Sequence, residues 1–396
     1  MERFTRRLRS VRNDTENEEK SKKKLIIIII LAGLILILLV MLFVDRNRKK
    51  TYNAYEVAYH QAAGLNSRIQ YTAYDSGYIV YDNDGASAYS ADGKQKWNVA
   101  YVLSNPILSV CEPYTAIADK GGNTLCIVDQ SGTVSRYSVN GKIAAVSVAR
   151  QGVTAVITTE NDRDHIYLYE PGSTSILVDV MTMTQSSGFP VTVALSPDGR
   201  KMATSYLAFE GSSLKSWVTF YNFGDVGQNY VDNMVGSYSF EALVPKIDFV
   251  TNNLVIVSRD NGIVFYSMSE IPKVIATEDF TGEIQSVFSD KSTTGLVIKD
   301  TANANKKRLL LYNNGKGKKI LDTALDFEYS GIYISGEDVV FYSGFDMLIL
   351  DHSGREKFKT GFTKNIRHIF RVDDKTRYIV VGDVDIDTIV LKQVKK

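Results

Sequence analysis

The sequence predicts an all-β fold, a β-propeller of eight blades, or of seven if its first unit is irregular. Three observations lead there. From Arg68 onward the chain consists of short runs rich in Val, Ile, Tyr, Phe and Thr, the residue types that suit a pleated, half-buried surface. Turn pairs built on Asn, Asp, Ser and Gly separate these runs at roughly 8–12-residue intervals, the spacing of an all-β sandwich, barrel or propeller. The runs also fall into groups of four with a period of roughly 35–50 residues, within the range of propeller blades.

The chain begins with a polar, charge-mixed stretch. Residues 1–24 carry nine Lys/Arg (Arg3, Arg6, Arg7, Arg9, Arg12, Lys20, Lys22, Lys23, Lys24) against five acids. Such a composition cannot bury enough apolar surface to order itself, so a disordered basic cytoplasmic tail is expected.

Leu25–Val44 follows, twenty residues without a charge, a proline or a side-chain amide. A helix of that length reaches about 30 Å, the thickness of a bilayer's hydrocarbon core. The run is longer than a signal-peptide core, and Val44-Asp45-Arg46-Asn47 offers no small-residue cleavage site. An uncleaved, single-pass signal-anchor is expected, with the lipid bilayer as its partner. Nine bases precede it and four (Arg46, Arg48, Lys49, Lys50) follow closely. That bias puts the N-terminus in the cytoplasm and the large domain outside, at the cell membrane.

Residues 45–67 form a juxtamembrane linker that reads two ways. Tyr52, Tyr55 and Tyr59 would share one face of a helix, whereas Tyr55, Val57 and Tyr59 alternate as in a strand. The last repeat decides between them, because it contains only three evident strands: IRHIFRV, RYIVVG and TIVLKQV. A strand at Tyr55–Tyr59 would supply the fourth and remove an open sheet edge.

The propeller domain is expected over 68–396. Eight units are legible at 69–102, 106–140, 143–181, 191–238, 244–280, 283–323, 327–360 and 366–391. In each, apolar inner strands precede a more polar outer one. KIDFV and HIFRV read as inner strands; GKGKKILDTA and GREKFKTGF read as outer strands whose lysines discourage edge pairing. The turns are Asp82-Asn83-Asp84-Gly85, Asp92-Gly93, Ser131-Gly132, Asn140-Gly141, Asp198-Gly199, Asn261-Gly262, Asn314-Gly315 and Ser353-Gly354. Asn, Asp and Gly tolerate the positive φ that tight hairpins require.

Two of these turns carry a resemblance. Ala88-Tyr89-Ser90-Ala91-Asp92-Gly93-Lys94-Gln95-Lys96-Trp97 resembles the repeat of quinoprotein-like propellers, with its outer-strand tryptophan. Leu195-Ser196-Pro197-Asp198-Gly199-Arg200-Lys201-Met202-Ala203 resembles the turn of WD40-like and TolB-like propellers. The whole layout of basic tail, one apolar helix and divergent propeller is similar to uncharacterised membrane-anchored β-propeller proteins of Gram-positive bacteria. The quinoprotein resemblance would imply a quinone and calcium. Here Trp97 and Trp217 are the only tryptophans, and Cys111 and Cys126 are not adjacent. No cofactor and no catalytic residue carries over.

The remaining chemistry is sparse. Of the four histidines, His60, His165, His352 and His368, none lies in a nucleophile-elbow or H-E-x-x-H pattern. His368, on an inner strand, is the candidate for the central channel, although a packed histidine is the commoner case. Asp383-Val384-Asp385-Ile386-Asp387 would put three carboxylates on one strand face, where they could hold calcium, but it lacks the Gly and distal Glu of an EF-hand loop. Asp82-Asn83-Asp84-Gly85 is turn chemistry first. Lys306, Lys307, Arg308, Lys316, Lys318 and Lys319 flank one strand and read as a solvated edge or as a seat for an anionic polymer. Cys111 and Cys126, on the first and third strands of one unit, are too far apart to bridge and are expected as buried thiols.

Residues 51–396 carry 33 bases and 39 acids, which argues against nucleic acid as a partner. The expectation is a membrane-tethered, non-enzymatic, extracytoplasmic platform for a protein or envelope polymer. The alternative is an enzyme or small-ligand-binding propeller whose site, in the central channel, is assembled from single residues of several blades.

Overall fold

In a computed structural model of the chain, residues 29–41, 50–63, 68–160, 163–183, 188–211, 213–300, 306–372 and 376–394 are described. The chain divides into two compact units, Met1–Thr51 and Tyr52–Lys396. The described part of the first includes a solvent-exposed helix over 29–41. Among the described residues no helix is long and apolar enough to cross a membrane. The ends of the twenty-residue apolar run, 25–28 and 42–44, lie outside them, as do the tail 1–24 and the linker positions 45–49 and 64–67.

The second unit is an eight-bladed propeller: eight four-stranded antiparallel sheets, seven of them consecutive meanders. Blades 1 to 7 span 70–100, 106–138, 142–183, 189–240, 246–279, 284–325 and 331–361. The eighth joins three C-terminal strands within 366–392 to an N-terminal strand, Ala54–Ala62. This closing strand runs antiparallel to Asp385–Lys392, with Ala54 opposite Lys392 and His60 opposite Asp387. Inner strands adjoin between blades 2 and 3, 3 and 4, 4 and 5, and 6 and 7, and shared core clusters join the other neighbouring pairs, blade 8 to blade 1 included, so the ring is complete.

The alternation of the strands explains the burial. The second and third strands of each blade are its driest; Leu254–Arg259 and Gly262–Ser267 are buried almost throughout. Each such strand is sandwiched between neighbours in its own sheet and has a blade on either side, so both its faces are covered. The innermost strands are wetter than expected: Lys246–Thr251, which contains KIDFV, has one buried residue, Ile247. Their neighbours are the axis on one side and the sheet on the other.

Five of the eight turn glycines adopt the expected positive φ: Gly93, Gly132, Gly141, Gly199 and Gly354. Gly85, Gly262 and Gly315 do not. At Gly262 the requirement is space, since a Cβ there would lie 2.3 Å from the Glu278 carbonyl oxygen.

Polar clips join the blades. Asp338, 1% exposed, sits between Lys357 Nζ at 2.5 Å and Arg371 Nη2 at 3.2 Å, tying blade 7 to blade 8. Lys201 of the Ser-Pro-Asp-Gly turn is buried, and its ammonium donates to Asn253 Oδ1 (2.7 Å), Met268 O (2.8 Å) and Asn252 O (3.2 Å) of blade 5. On the inner strands Val148 N donates to Ser109 Oγ at 3.1 Å, and Leu195 N to Ser147 Oγ at 3.0 Å. These bonds satisfy groups that burial would otherwise leave unpaired.

Two outcomes follow. Asp338→Ala strands two half-buried cations and should cost about 3 kcal/mol of unfolding free energy, measured by denaturant titration. A chain beginning at Tyr52 should keep the thermal transition of the full chain. One beginning after Ala63 should melt lower and self-associate through the bared edge of Asp385–Lys392, as read by calorimetry and light scattering.

Candidate interaction face

A meander blade sorts its connections onto two faces. The links between blades and the turns between second and third strands lie on one, here called upper. The turns between first and second strands and between third and fourth strands lie on the other, the lower. The closing strand is a fourth strand, so it begins on the lower face, where Asn53 Nδ2 donates to Val394 O at 2.9 Å.

The upper face exposes several large apolar side chains and a cleft. Val102, Phe189, Phe209, Phe345 and Val384 are exposed there, on links and hairpin tips of several blades. The blade 4 hairpin is the longest: Lys201–Glu210 pairs with Ser213–Asn222 and carries Phe209 near its tip. Between blades 6 and 7 lies a cleft of about 760 Å³, lined by Lys306, Lys359, Asp326, Asp346 and Phe327 among others. Lys307, also in its wall, pairs with Glu328 at 2.6 Å and lies over the Tyr329 ring.

The residues singled out from the sequence disperse. His165 pairs with Asp179 at 2.8 Å on the outer side of blade 3. His368 does occupy an inner strand, but it stacks on Phe370, with centroids 5.8 Å apart, and reaches Tyr342 Oη at 3.4 Å. Burial lowers its basicity below the usual imidazole range. Burial does the same to His352, whose Nε2 has no hydrogen-bond partner. Both act as packed side chains.

The acidic run needs correction. Asp383 lies in the turn before the strand and accepts from Asn365 Nδ2 at 2.8 Å, so the three carboxylates do not share one face. Asp385 and Asp387 converge with His60, which lies on the closing strand one residue beyond the Tyr55–Tyr59 stretch expected from the sequence. Lys364 Nζ already bridges the two carboxylates, at 2.7 Å to Asp385 Oδ1 and 2.5 Å to Asp387 Oδ2. His60 Nδ1 meets Asp387 Oδ1 at 2.6 Å. A lysine ammonium thus stands where a cation would bind, and the cluster fastens the closing strand.

The other candidates are structural. Asp82 Oδ1 accepts from the Asp84 and Gly85 amides, as a turn residue does. The two basic groups lie at opposite ends of Lys307–Asn313, and Asp322 takes both Arg308 and Lys319. Cys126 is buried but Cys111 is only half-buried, a departure from the two buried thiols expected. Both stay free, and burial raises both thiols above their ordinary range.

The profile of a family of unknown function, DUF5711, matches residues 47–391, and the chain belongs to that family. No curated protein matches it in sequence. Among solved structures, Sqt1 from Saccharomyces cerevisiae is similar at a TM-score of 0.58 and 11% identity, over 85% of this chain and 99% of that one. BamB from Moraxella catarrhalis is similar at 0.51 and 10% identity, over 85% of this chain and all of that one. At such identities the likeness concerns the fold.

The histidines give a pH dependence. His352 and His368 are held neutral by the fold, so the unfolded chain takes up protons first as pH falls below about 6.5. Stability should therefore decline on acidification from pH 7 towards 5. The double variant His352→Gln, His368→Gln should decline less over that window, as measured by thermal melts at several pH values.

Proposed function

We propose that this DUF5711 protein is a membrane-tethered, non-enzymatic platform whose propeller lies outside the cytoplasm and whose upper face binds a protein or envelope polymer. The observation that carries this reading is where the closing strand begins. It starts on the lower face, so a tether formed by Leu25–Val44 would join the ring there and leave the upper face free. Exposed aromatic side chains such as Phe209 and Phe345 on that face are the anchors that protein interfaces favour.

The positive-charge bias before the apolar run supports a cytoplasmic N-terminus. A non-enzymatic role is supported by the use of the polar groups: the inner-strand serines bridge neighbouring backbones, and His368 is packed. A second reading, small-ligand binding, has the cleft between blades 6 and 7 in its favour, because Lys306 and Lys359 there make no ion pair among the described residues. That would put the ligand at the rim rather than in the central channel.

Protease treatment of intact cells should digest the propeller only if it is extracytoplasmic; protection until the cells are lysed would reverse the orientation. A photo-crosslinker placed at Phe345 should form an adduct that Phe209→Asp abolishes. An adduct that appears equally from lower-face positions would rule out the upper face as the docking surface.

A further inference from the structure

Three consecutive blades expose apolar side chains at one recurring place, the lower-face approach to the fourth strand. Ile176 and Leu177 do so on blade 3, Val231 and Met234 on blade 4, and Ile271 and Val274 on blade 5. Val231 is 80% exposed. This recurrence puts exposed apolar surface along one rim of the ring, where it calls for something that covers it.

The surroundings show that these residues are held in place. The blade 4 connection makes two short 3-10 turns, Gly227–Asn229 and Val231–Asn233, and Asp232 and Asn233 adopt positive φ (52° and 58°) to present Val231. Asp and Asn are the residues besides glycine that accept such backbone, so the sequence itself encodes this turn. Asn222, 1% exposed, accepts from Gly224 N at 2.9 Å and donates to Glu270 O and Oε2 at 3.0 and 2.9 Å. Tyr238 Oη donates to Pro272 O at 3.0 Å. The connections of blades 4 and 5 are therefore clipped together.

This surface shares the lower face with the start of the closing strand. In an eight-membered ring blade 4 lies across the diameter from blade 8, where that strand enters. One chain connection and one apolar patch thus stand at opposite ends of a diameter, on the same face. The flanking charges are mixed: Arg200 and Lys273 against Asp225, Asp232 and Glu270. A polar recess of about 720 Å³ containing Arg200, Asp225 and Glu270 opens beside the patch. That mixture favours a zwitterionic surface over an anionic one.

We propose that the lower rim of blades 3 to 5 is a lipid-docking surface that rests in the headgroup and upper acyl region of the bilayer, so that the ring lies flat. The proposal rests on the membrane-tether reading. A tether alone leaves a propeller free to tilt; a second contact across the diameter fixes which face points away from the lipid. Apolar side chains at an interface bury against acyl chains by the same transfer that drives folding, and this term survives salt.

The test uses the full chain in liposomes of phosphatidylcholine. Bimane is attached at Val231→Cys or, for comparison, at Phe345→Cys, each in a Cys111→Ser background. Nitroxide-labelled lipid should quench the probe at 231 several-fold more than the probe at 345, with little change at high salt. Adding Ile271→Asp and Val274→Asp should remove the difference while the chain still floats with the liposomes. Equal quenching at the two positions in a chain that floats would overturn the docking surface and leave the tether standing. A chain that does not float would overturn the tether reading, and the proposal with it. The first comparison needs no aspartate variant, so it does not depend on how that variant folds.

Discussion

Ring closure is the constraint on which the rest of this structure depends. Seven blades are local meanders, but the eighth requires residues at 54–62 to find residues at 385–392. The pairing is held by ladder bonds and by an ionic cluster, Lys364 with Asp385 and Asp387, to which His60 of the closing strand adds its own bond to Asp387. At the other end of the same strand Lys392 pairs with Glu56 at 2.8 Å. Bringing those ends together costs loop-closure entropy, but that cost grows only slowly with loop length. In return the eighth blade is completed and the edge of Asp385–Lys392 is covered, so that each blade ends on a wetter outer strand.

The same economy governs the polar residues at the seams between blades. A divergent propeller has no repeated sequence motif to bind each blade to the next, and here the clips are individual. Lys201 uses carbonyl and amide oxygens, Asp338 uses two cations, and Ser109 and Ser147 take backbone amides. Each is buried or half-buried, so each would be costly to leave unpaired. In a ring of eight thin sheets, much of the interior polar chemistry goes into holding neighbours together.

The fold was legible because its signals are local. Strand pattern, turn residues and a four-strand period placed all eight blades to within a few residues, and the three-stranded last repeat pointed to a missing partner near Tyr55–Tyr59. The candidate site was far less legible. The face that carries Val102, Phe209, Phe345 and Val384 is assembled from links and hairpin tips of separate blades. Neither their common face nor their exposure leaves a periodic trace in the chain. The Asp383–Asp387 run shows the same limit from the other side: alternation suggested a metal face, but whether a cation or Lys364 would fill it depended on a link before the blade's first strand.

By itself the sequence determined the class of fold, a blade number narrowed to eight or seven, the apolar run Leu25–Val44 and the acidic balance of the propeller, all of which rest on composition or on contacts between residues close in the chain. Tertiary structure alone decided which side chains share a face: the Lys364 clasp, the Asp338 triad, the cleft between blades 6 and 7 and the apolar rim of blades 3 to 5. The physical reason is that a propeller brings together residues on different strands and different blades, from 19 positions apart at Asp338 and Lys357 to 327 at His60 and Asp387. Their meeting depends on the register and depth of each strand, which alternation along a single strand cannot encode.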